Sequence, residues 1–399
     1  MRRKDSKNRV LKKGEYERKN GTYEYKFKDS NRKSKSIYAK NLPELRDKIK
    51  KLSILEASGI NISGQTITVK CLYEKWLGQK IGLKENTIQH YKYLSETYIL
   101  PRIGNYKVVE LKNSDIRAMY RTMYEVNGLS INTIDSIHNI VHQVFEIALE
   151  DEYIRKNPAS NSLRELKKLF PKDSNKFALT LEQQKLLVDY LYSKKTIRWR
   201  TVFITLLLTG LRVGEITALN WEDVDFENNI IKINKTLVYF DKDNTGSKFM
   251  INTPKTQAGI RQFPMLPKVR EALMEEREFQ NSLNLKCKVK IDGYSNFVFI
   301  NRFGGVFHQG TLNKNLRRVI RDCNDEVLKN KGSIFLPLFS CHTLRHTFAT
   351  RMFESGVNVK TMQSILGHTD ISTTLNTYTH VLEDLKIDEI NKVSEFLDM

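Results

Sequence analysis

Polar and apolar positions change their period along the chain, and these changes divide it into regions. From Thr22 to Lys28 the sequence reads Thr-Tyr-Glu-Tyr-Lys-Phe-Lys. A period of two predicts a strand with one covered, aromatic face. Asn20-Gly21 before it and Asp29-Ser30-Asn31 after it are turn signals. With Val10-Leu11 upstream and Ser36-Ile37-Tyr38 downstream, a three-stranded meander is expected. Leu42 to Leu55 then switches to helical spacing (Leu45, Ile49, Leu52), suited to covering the sheet. Residues 1–60 thus read as a small α+β sheet domain.

From 65 to 163 the spacing is helical throughout. Ile134, Ile137, Val141, Val144, Phe145, Ala148 and Leu149 form one broad stripe, on a helix expected to end near Asn157-Pro158. Leu72 to Leu77, Thr87 to Leu100 and Ser114 to Tyr124 repeat the style, with Pro101, Gly104 and Gly128 as breaks, which makes a four-helix unit. Residues 164–176 are charged, contain Pro171 and lack an apolar period, so they read as a linker. Thr180-Leu-Glu-Gln183 is a capping box that opens the last region, 177–399. That region reads as helical except for residues 224–265, where Ile230–Ile233, Lys248–Ile251 and Arg261–Phe263 alternate as strands. The expected fold class is mostly α with small β elements, ending in a mixed α/β domain.

Charge changes this picture from architecture to partner. Lys and Arg total 66 against 46 acids, a net of +20. Residues 1–60 hold 19 basic and 8 acidic residues, a net of +11, which leaves +9 for the other 339. Such asymmetry points to a polyanion. In the amino-terminal sheet, Lys26 and Lys28 would lie on the face away from the aromatics, with Arg18 and Lys19 at the turn. Strands that read DNA grooves have this design. No run of about 18 apolar residues is present, and no apolar segment follows the basic amino terminus, so no membrane span or secretory signal is expected. Four cysteines without CxxC spacing argue against structural zinc or disulfides and for a reducing cytoplasm.

Candidate chemistry lies at five places. Gly210 should end an apolar helix and let Arg212 emerge within Thr-Gly-Leu-Arg-Val-Gly-Glu, with Glu215 one turn later. Lys255 lies in Thr-Pro-Lys-Thr-Gln-Ala-Gly, a turn between strands. His342 and Arg345 share a helix face at i and i+3. His368 follows the helix-breaking Gly367, and Tyr378 comes ten residues later. Taken singly, each has an ordinary reading: a surface arginine or carboxylate, a solvated lysine, a structural histidine, a packing tyrosine. Phosphoryl transfer at a DNA phosphodiester, however, calls for this set. Two guanidiniums clamp the non-bridging oxygens, a lysine or histidine handles protons, and a phenol attacks.

In order and spacing, TGLRVGE, TPKTQAGIRQFPM, HTLRHTFAT and LGHTDISTTLNTYTH resemble the tyrosine recombinase (lambda-like integrase) family over residues 180–385. IDGYSNFVFINR, at 291–302, looks like its conjugative-transposon branch. The resemblance implies that Arg212 and Arg345 hold the scissile phosphate and His342 serves the proton transfers. It implies Lys255 as general acid toward the 5′ oxygen, His368 as a hydrogen-bond donor to the phosphate and Tyr378 as nucleophile, with Glu215 orienting Arg212. It also implies an arm-type DNA-binding domain at 1–60, a core-binding domain at 65–163 and a catalytic domain at 177–399. The implied partners are double-stranded DNA at core and arm sites, a tetramer on DNA, an excisionase and a host DNA-bending protein, with no cofactor, metal or ATP. A zinc hydrolase would need Glu directly after His342, where Thr343 stands. A type IB topoisomerase shares the chemistry but not the separate basic sheet, and a DNA-binding regulator would not need a full catalytic set.

Overall fold

The computed structural model describes residues 3–28, 34–57, 66–170, 177–193, 197–242, 246–254, 259–367 and 369–370. The chain divides into two compact units, 1–173 and 174–399.

In the first unit, β1 (Glu15–Glu17), β2 (Tyr23–Lys28) and β3 (Ser34–Ala39) form an antiparallel sheet in that order. The register sets Tyr23 opposite Glu17 and Ala39, and Tyr25 opposite Glu15 and Ile37. The helix α1 (Leu42–Ala57) covers that face, and Tyr23, Ala39, Leu42 and Leu45 form the core beneath it. The first strand is Glu15–Glu17 rather than Val10–Leu11, and Val10 makes only an isolated bridge to Lys4. An inward Glu15 is tolerated because Arg46 of α1 donates to both its oxygens, at 3.2 and 3.1 Å. That partner lies 31 residues away, beyond the reach of local pattern.

The helical region consists of α2 (Val69–Gly78), α3 (Glu85–Leu94), α4 (Leu100–Ile103), α5 (Asn113–Glu125) and α6 (Ile131–Glu150). A π-helical turn, Ser95–Ile99, joins α3 to α4, so that four helical rods result. Trp76, Ile116, Tyr120, Ile134, Ile137 and Phe145 lie in one core. The helix α6 stops at Glu150, short of Asn157-Pro158, where Glu152 turns left-handed at φ 59°. The segment expected to be a linker begins as a short helix, α7 (Arg164–Leu169). Ion pairs from Arg117 to Glu165 (3.0 Å) and from Lys167 to Asp135 (2.5 Å) hold it to α5 and α6, and Leu166 packs on their core.

In the second unit Thr180 and Gln183 exchange the two bonds of the expected capping box, each 3.1 Å, and start α8 (Leu181–Ser193). Next comes α9 (Ile197–Thr209), whose Val202, Phe203, Leu206 and Leu207 are buried. Its Thr205 and Thr209 hydroxyls donate to carbonyls four residues back, so both buried hydroxyls are satisfied within the helix. A short α10 (Val213–Ala218) leads to β4 (Val224–Asp225), β5 (Ile230–Ile233), β6 (Thr236–Lys242), β7 (Gly246–Asn252) and β8 (Arg261–Pro264). The strands form two sheets, β4–β5–β8 and β6–β7. The strands before and after Lys255, β7 and β8, belong to different sheets, and Lys255 itself lies outside the described residues. Helices α11 (Pro267–Ser282), α12 (Gln309–Lys329), α13 (Cys341–Glu354) and α14 (Val359–Leu366) complete the unit. Residues 283–308, expected to be helical, hold no helix. Asn284, Asp292 and Asn296 have positive φ there, and Ile291, Phe297, Ile300 and Val306 form a small core with Ala218 of α10 and Leu237 of β6. Among the described residues no helix is long and apolar enough to cross a membrane.

Candidate active site

The site begins where α9 ends. Gly210 takes φ +61°, and a Cβ there would strike the Phe348 ring, so only glycine makes this turn at this distance. Arg212 follows as the N-cap of α10, with Glu215 at the third helical position. The Arg212 backbone N–H donates to Glu215 Oε2 at 2.9 Å, and its Nη1 donates to Oε1 at 2.9 Å. Its Nη2 donates to the carbonyl of Gly367 at 3.0 Å. The Arg212 side chain stays 41% exposed, whereas Glu215 is at 8%.

Glu215 meets a second guanidinium from its buried side. Arg261, at the start of β8 and 6% exposed, donates Nη1 to Oε1 at 3.0 Å and Nη2 to Oε2 at 2.8 Å. Burial alone would push the Glu215 carboxyl up. Hydrogen bonding and charge from Arg261, then from Arg212, outweigh burial and hold it at about 2. A carboxylate deep in the protein thus stays ionised, with two cations bound to it.

Arg345 on α13 is buried, and donates Nη1 to the Gly210 carbonyl at 2.8 Å and Nη2 to the Leu366 carbonyl at 2.6 Å. His342, one turn earlier, is exposed, its ring edge-on to His346 at 4.7 Å. Thr343 between them is buried, and no group of three or more His, Cys, Asp or Glu able to hold a metal occurs among the described residues. The structure therefore brings Arg212, Glu215 and Arg345 to one place, the end of α14, where Gly367 closes the helix at φ +64°. Lys255, His368 and Tyr378 lie outside the described residues. Sequence pattern alone does not single out Arg261. Its one local signal is its position in β8: it alternates with Phe263, which faces the core, so a basic residue occupies an inward site.

In the amino-terminal sheet Arg18, Lys19, Lys26 and Lys28 are all exposed. Strand alternation puts Lys26 and Lys28 with Tyr16, Glu24 and Tyr38 on the face opposite α1. Arg18 lies over the Tyr38 ring at 5.1 Å and Lys26 over Tyr16 at 5.6 Å. Cations and aromatic rings alternate there.

Known proteins carry the same organisation. Residues 178–384 match the phage integrase family, residues 1–54 the DNA binding domain of Tn916 integrase, and residues 68–124 the phage integrase N-terminal SAM-like domain. The transposase of transposon Tn1545 from Streptococcus pneumoniae is 33% identical over 98% of this chain and 97% of its own. The transposase of Tn916 from Enterococcus faecalis shows the same identity and coverage. Among solved structures, the Tn1549 transposon integrase in complex with transposon right end DNA superposes with a TM-score of 0.71 at 29% identity. It covers 82% of this chain and 100% of that one. Fold, site and full-length similarity agree, and the chain belongs to the phage integrase family, the tyrosine recombinases, in its conjugative-transposon branch.

Proposed function

We propose that this enzyme cuts and rejoins DNA at specific sites through a 3′-phosphotyrosyl bond at Tyr378, and so integrates and excises a mobile element. The observation that carries this reading is the convergence of Arg212, Glu215 and Arg345 on the end of α14, ten residues before Tyr378 counted from His368. Arg212 and Arg345 hold the non-bridging oxygens of the scissile phosphate, and their planar forks suit its geometry as it passes through a pentacovalent state. A tyrosine, ordinarily near pKa 10, attacks only as it loses its proton, and two guanidiniums favour the phenolate. His342, exposed at the start of α13, takes and returns that proton, and His368 donates a hydrogen bond to the phosphate. Lys255 protonates the departing 5′ oxygen. The phosphotyrosyl ester conserves the energy of the cut bond, so the reaction calls for neither metal nor ATP.

Residues 1–60 bind arm sites, 65–163 bind the core site, 164–176 connect the units and 177–399 carry the chemistry. The Tn1549 integrase has been solved with transposon right end DNA and with circular intermediate DNA, which supports these substrates for a relative of this chain. Exchange between two duplexes cuts four strands, and one nucleophile per chain makes a tetramer the natural unit. An excisionase and a host DNA-bending protein fit as accessory partners, and the bacterial cytoplasm as the setting. Tyr378→Phe tests the reading. On a nicked suicide substrate, wild type should form a covalent protein–DNA adduct, and the Phe variant should bind the same DNA but form none. An adduct from the Phe variant overturns the assignment.

A further inference from the structure

Three consecutive carbonyls close α14, and each accepts from a different arginine. Ile365 is bonded by Arg261 Nε at 2.7 Å, Leu366 by Arg345 Nη2 at 2.6 Å and Gly367 by Arg212 Nη2 at 3.0 Å. The last turn of a helix leaves its carbonyls without intrahelical partners and carries the negative end of the dipole, so guanidiniums are favoured there. Two of the three arginines belong to the proposed phosphate clamp. The third, Arg261, has a side chain only 6% exposed, and its guanidinium is taken up by the Ile365 carbonyl and both oxygens of Glu215.

Its own bonds define what it does. One edge is pinned by Ile365, while the other holds both oxygens of Glu215. Glu215 in turn fixes both the backbone N–H and the guanidinium of Arg212. With three arginines and one carboxylate, the cluster keeps a net charge of +2 for an incoming phosphate. Without Arg261, Arg212 would be the one cationic partner of Glu215 among the described residues, and Glu215 would compete with the phosphate for it. From this chain of contacts we infer that Arg261 is a positioning residue for strand cleavage. It holds Glu215 in a fixed orientation, so that Arg212 presents its fork to the phosphate without being captured by the carboxylate.

The inference rests on the proposed role of Arg212, and the experiment separates the two. The full-length chain is compared with Arg261→Lys, Arg261→Gln, Arg212→Lys and the double variant Arg212→Lys/Arg261→Lys. Adduct formation is followed in single turnover on the nicked core substrate, and affinity for the same DNA by gel shift. Arg261→Lys keeps the charge but loses the two-oxygen grip, and should slow adduct formation roughly tenfold with affinity changed less than about twofold. Arg261→Gln should lose on the order of a hundredfold in rate. Rates are taken per folded molecule, and if Arg261→Gln does not fold the Lys variant decides. Because Arg261 acts through Arg212, its Lys substitution should cost less than about threefold in the Arg212→Lys background. A wild-type rate in Arg261→Lys, parallel losses of binding and rate, or a full tenfold loss in both backgrounds overturns the inference. If wild type itself forms no adduct, the recombinase reading fails instead.

Discussion

Glu215, in the proposed catalytic cluster, and Glu24, on the amino-terminal sheet, each sit between two cations. Glu215 is buried and bonded by Arg212 and Arg261 at 2.8–3.0 Å. Glu24 is covered to the same degree on the outer face of β2, and what differs is its cations, Arg18 at 3.8 Å and Lys26 at 3.9 Å, which reach it from solvent. Hydrogen bonding from Ser36 lowers the Glu24 carboxyl first, and the cations add to it. Arg18 and Lys26 side chains stay 51% and 60% exposed. The ingredients are alike but the energetics are not. In a buried site each charge depends on its partner, because an unpaired ion there costs several kcal/mol. Exposed cations such as Arg18 and Lys26 are solvated when they lose a partner, so pairs of this kind contribute little. The first cluster is a scaffold, while the second leaves its cations available to another anion.

The largest effect should come from breaking the scaffold. Glu215→Ala leaves Arg261 buried without its carboxylate, and should destabilise the second unit by on the order of 3 kcal/mol or more. Glu24→Ala should move the stability of the first unit far less, because the cations it leaves behind are exposed to water. Urea unfolding of each variant, read unit by unit through hydrogen exchange, checks the pair. Equal losses would erase the distinction between the two clusters.

Acid should act next. The Glu215 carboxyl falls from an ordinary 4.5 to about 2 in the folded protein. A depressed carboxyl stabilises fully above its unfolded pKa, and that stability is lost as pH falls through the folded value. The window is therefore pH 4.5 down to about 2, and the contribution is about 3 kcal/mol. In Glu215→Gln the stability of the second unit should be flatter across that window than in wild type. An unchanged acid profile would show that Glu215 is not held ionised.

Arg212 tests the exposed edge of the same cluster. Arg212→Lys keeps a cation for Glu215 but loses the fork, so adduct formation should fall roughly a hundredfold with folding and DNA binding near wild type. A near-normal cleavage rate in single turnover would make Arg212 peripheral to the chemistry.

Legibility in the sequence follows the range of the interactions. Tyr23 to Lys28 can be read as a strand because alternation is local, and the TLEQ box because its bonds span three residues. Arg212, Glu215 and Arg345 stand out through their spacing, and the structure gathers them at α14. Three features depend on distant partners and escape a local reading. Glu15 is inward because Arg46 meets it, α7 docks through Leu166 on the helical core, and Arg261 finds Glu215 and Ile365 46 and 104 residues away. The irregular stretch 283–308 is apolar enough to pass for helix, yet asparagines and glycines at positive φ break it repeatedly.

The smallest effects on stability should belong to the sheet, and there the comparison predicts a different readout. Arg18 and Lys26 lie over Tyr38 and Tyr16 on a face that no helix of the sheet's own core covers. If these cations meet DNA phosphates, Arg18→Ala and Lys26→Ala should each weaken arm-site binding at every salt concentration. Each should also reduce the slope of log affinity against log salt by about 1, as expected when one cation no longer neutralises a phosphate. Neither should shift thermal stability by more than about 0.5 kcal/mol, because water replaces what the ion pair with Glu24 supplied. Gel shifts of the full chain on arm DNA over a salt series, beside core DNA as reference, make the measurement. Core-site binding should keep its slope. Loss of fold in either variant would put these cations with the buried scaffold. An unchanged arm-site slope would move the DNA-binding role to other residues of the sheet, with Lys19 and Lys28 the next to substitute.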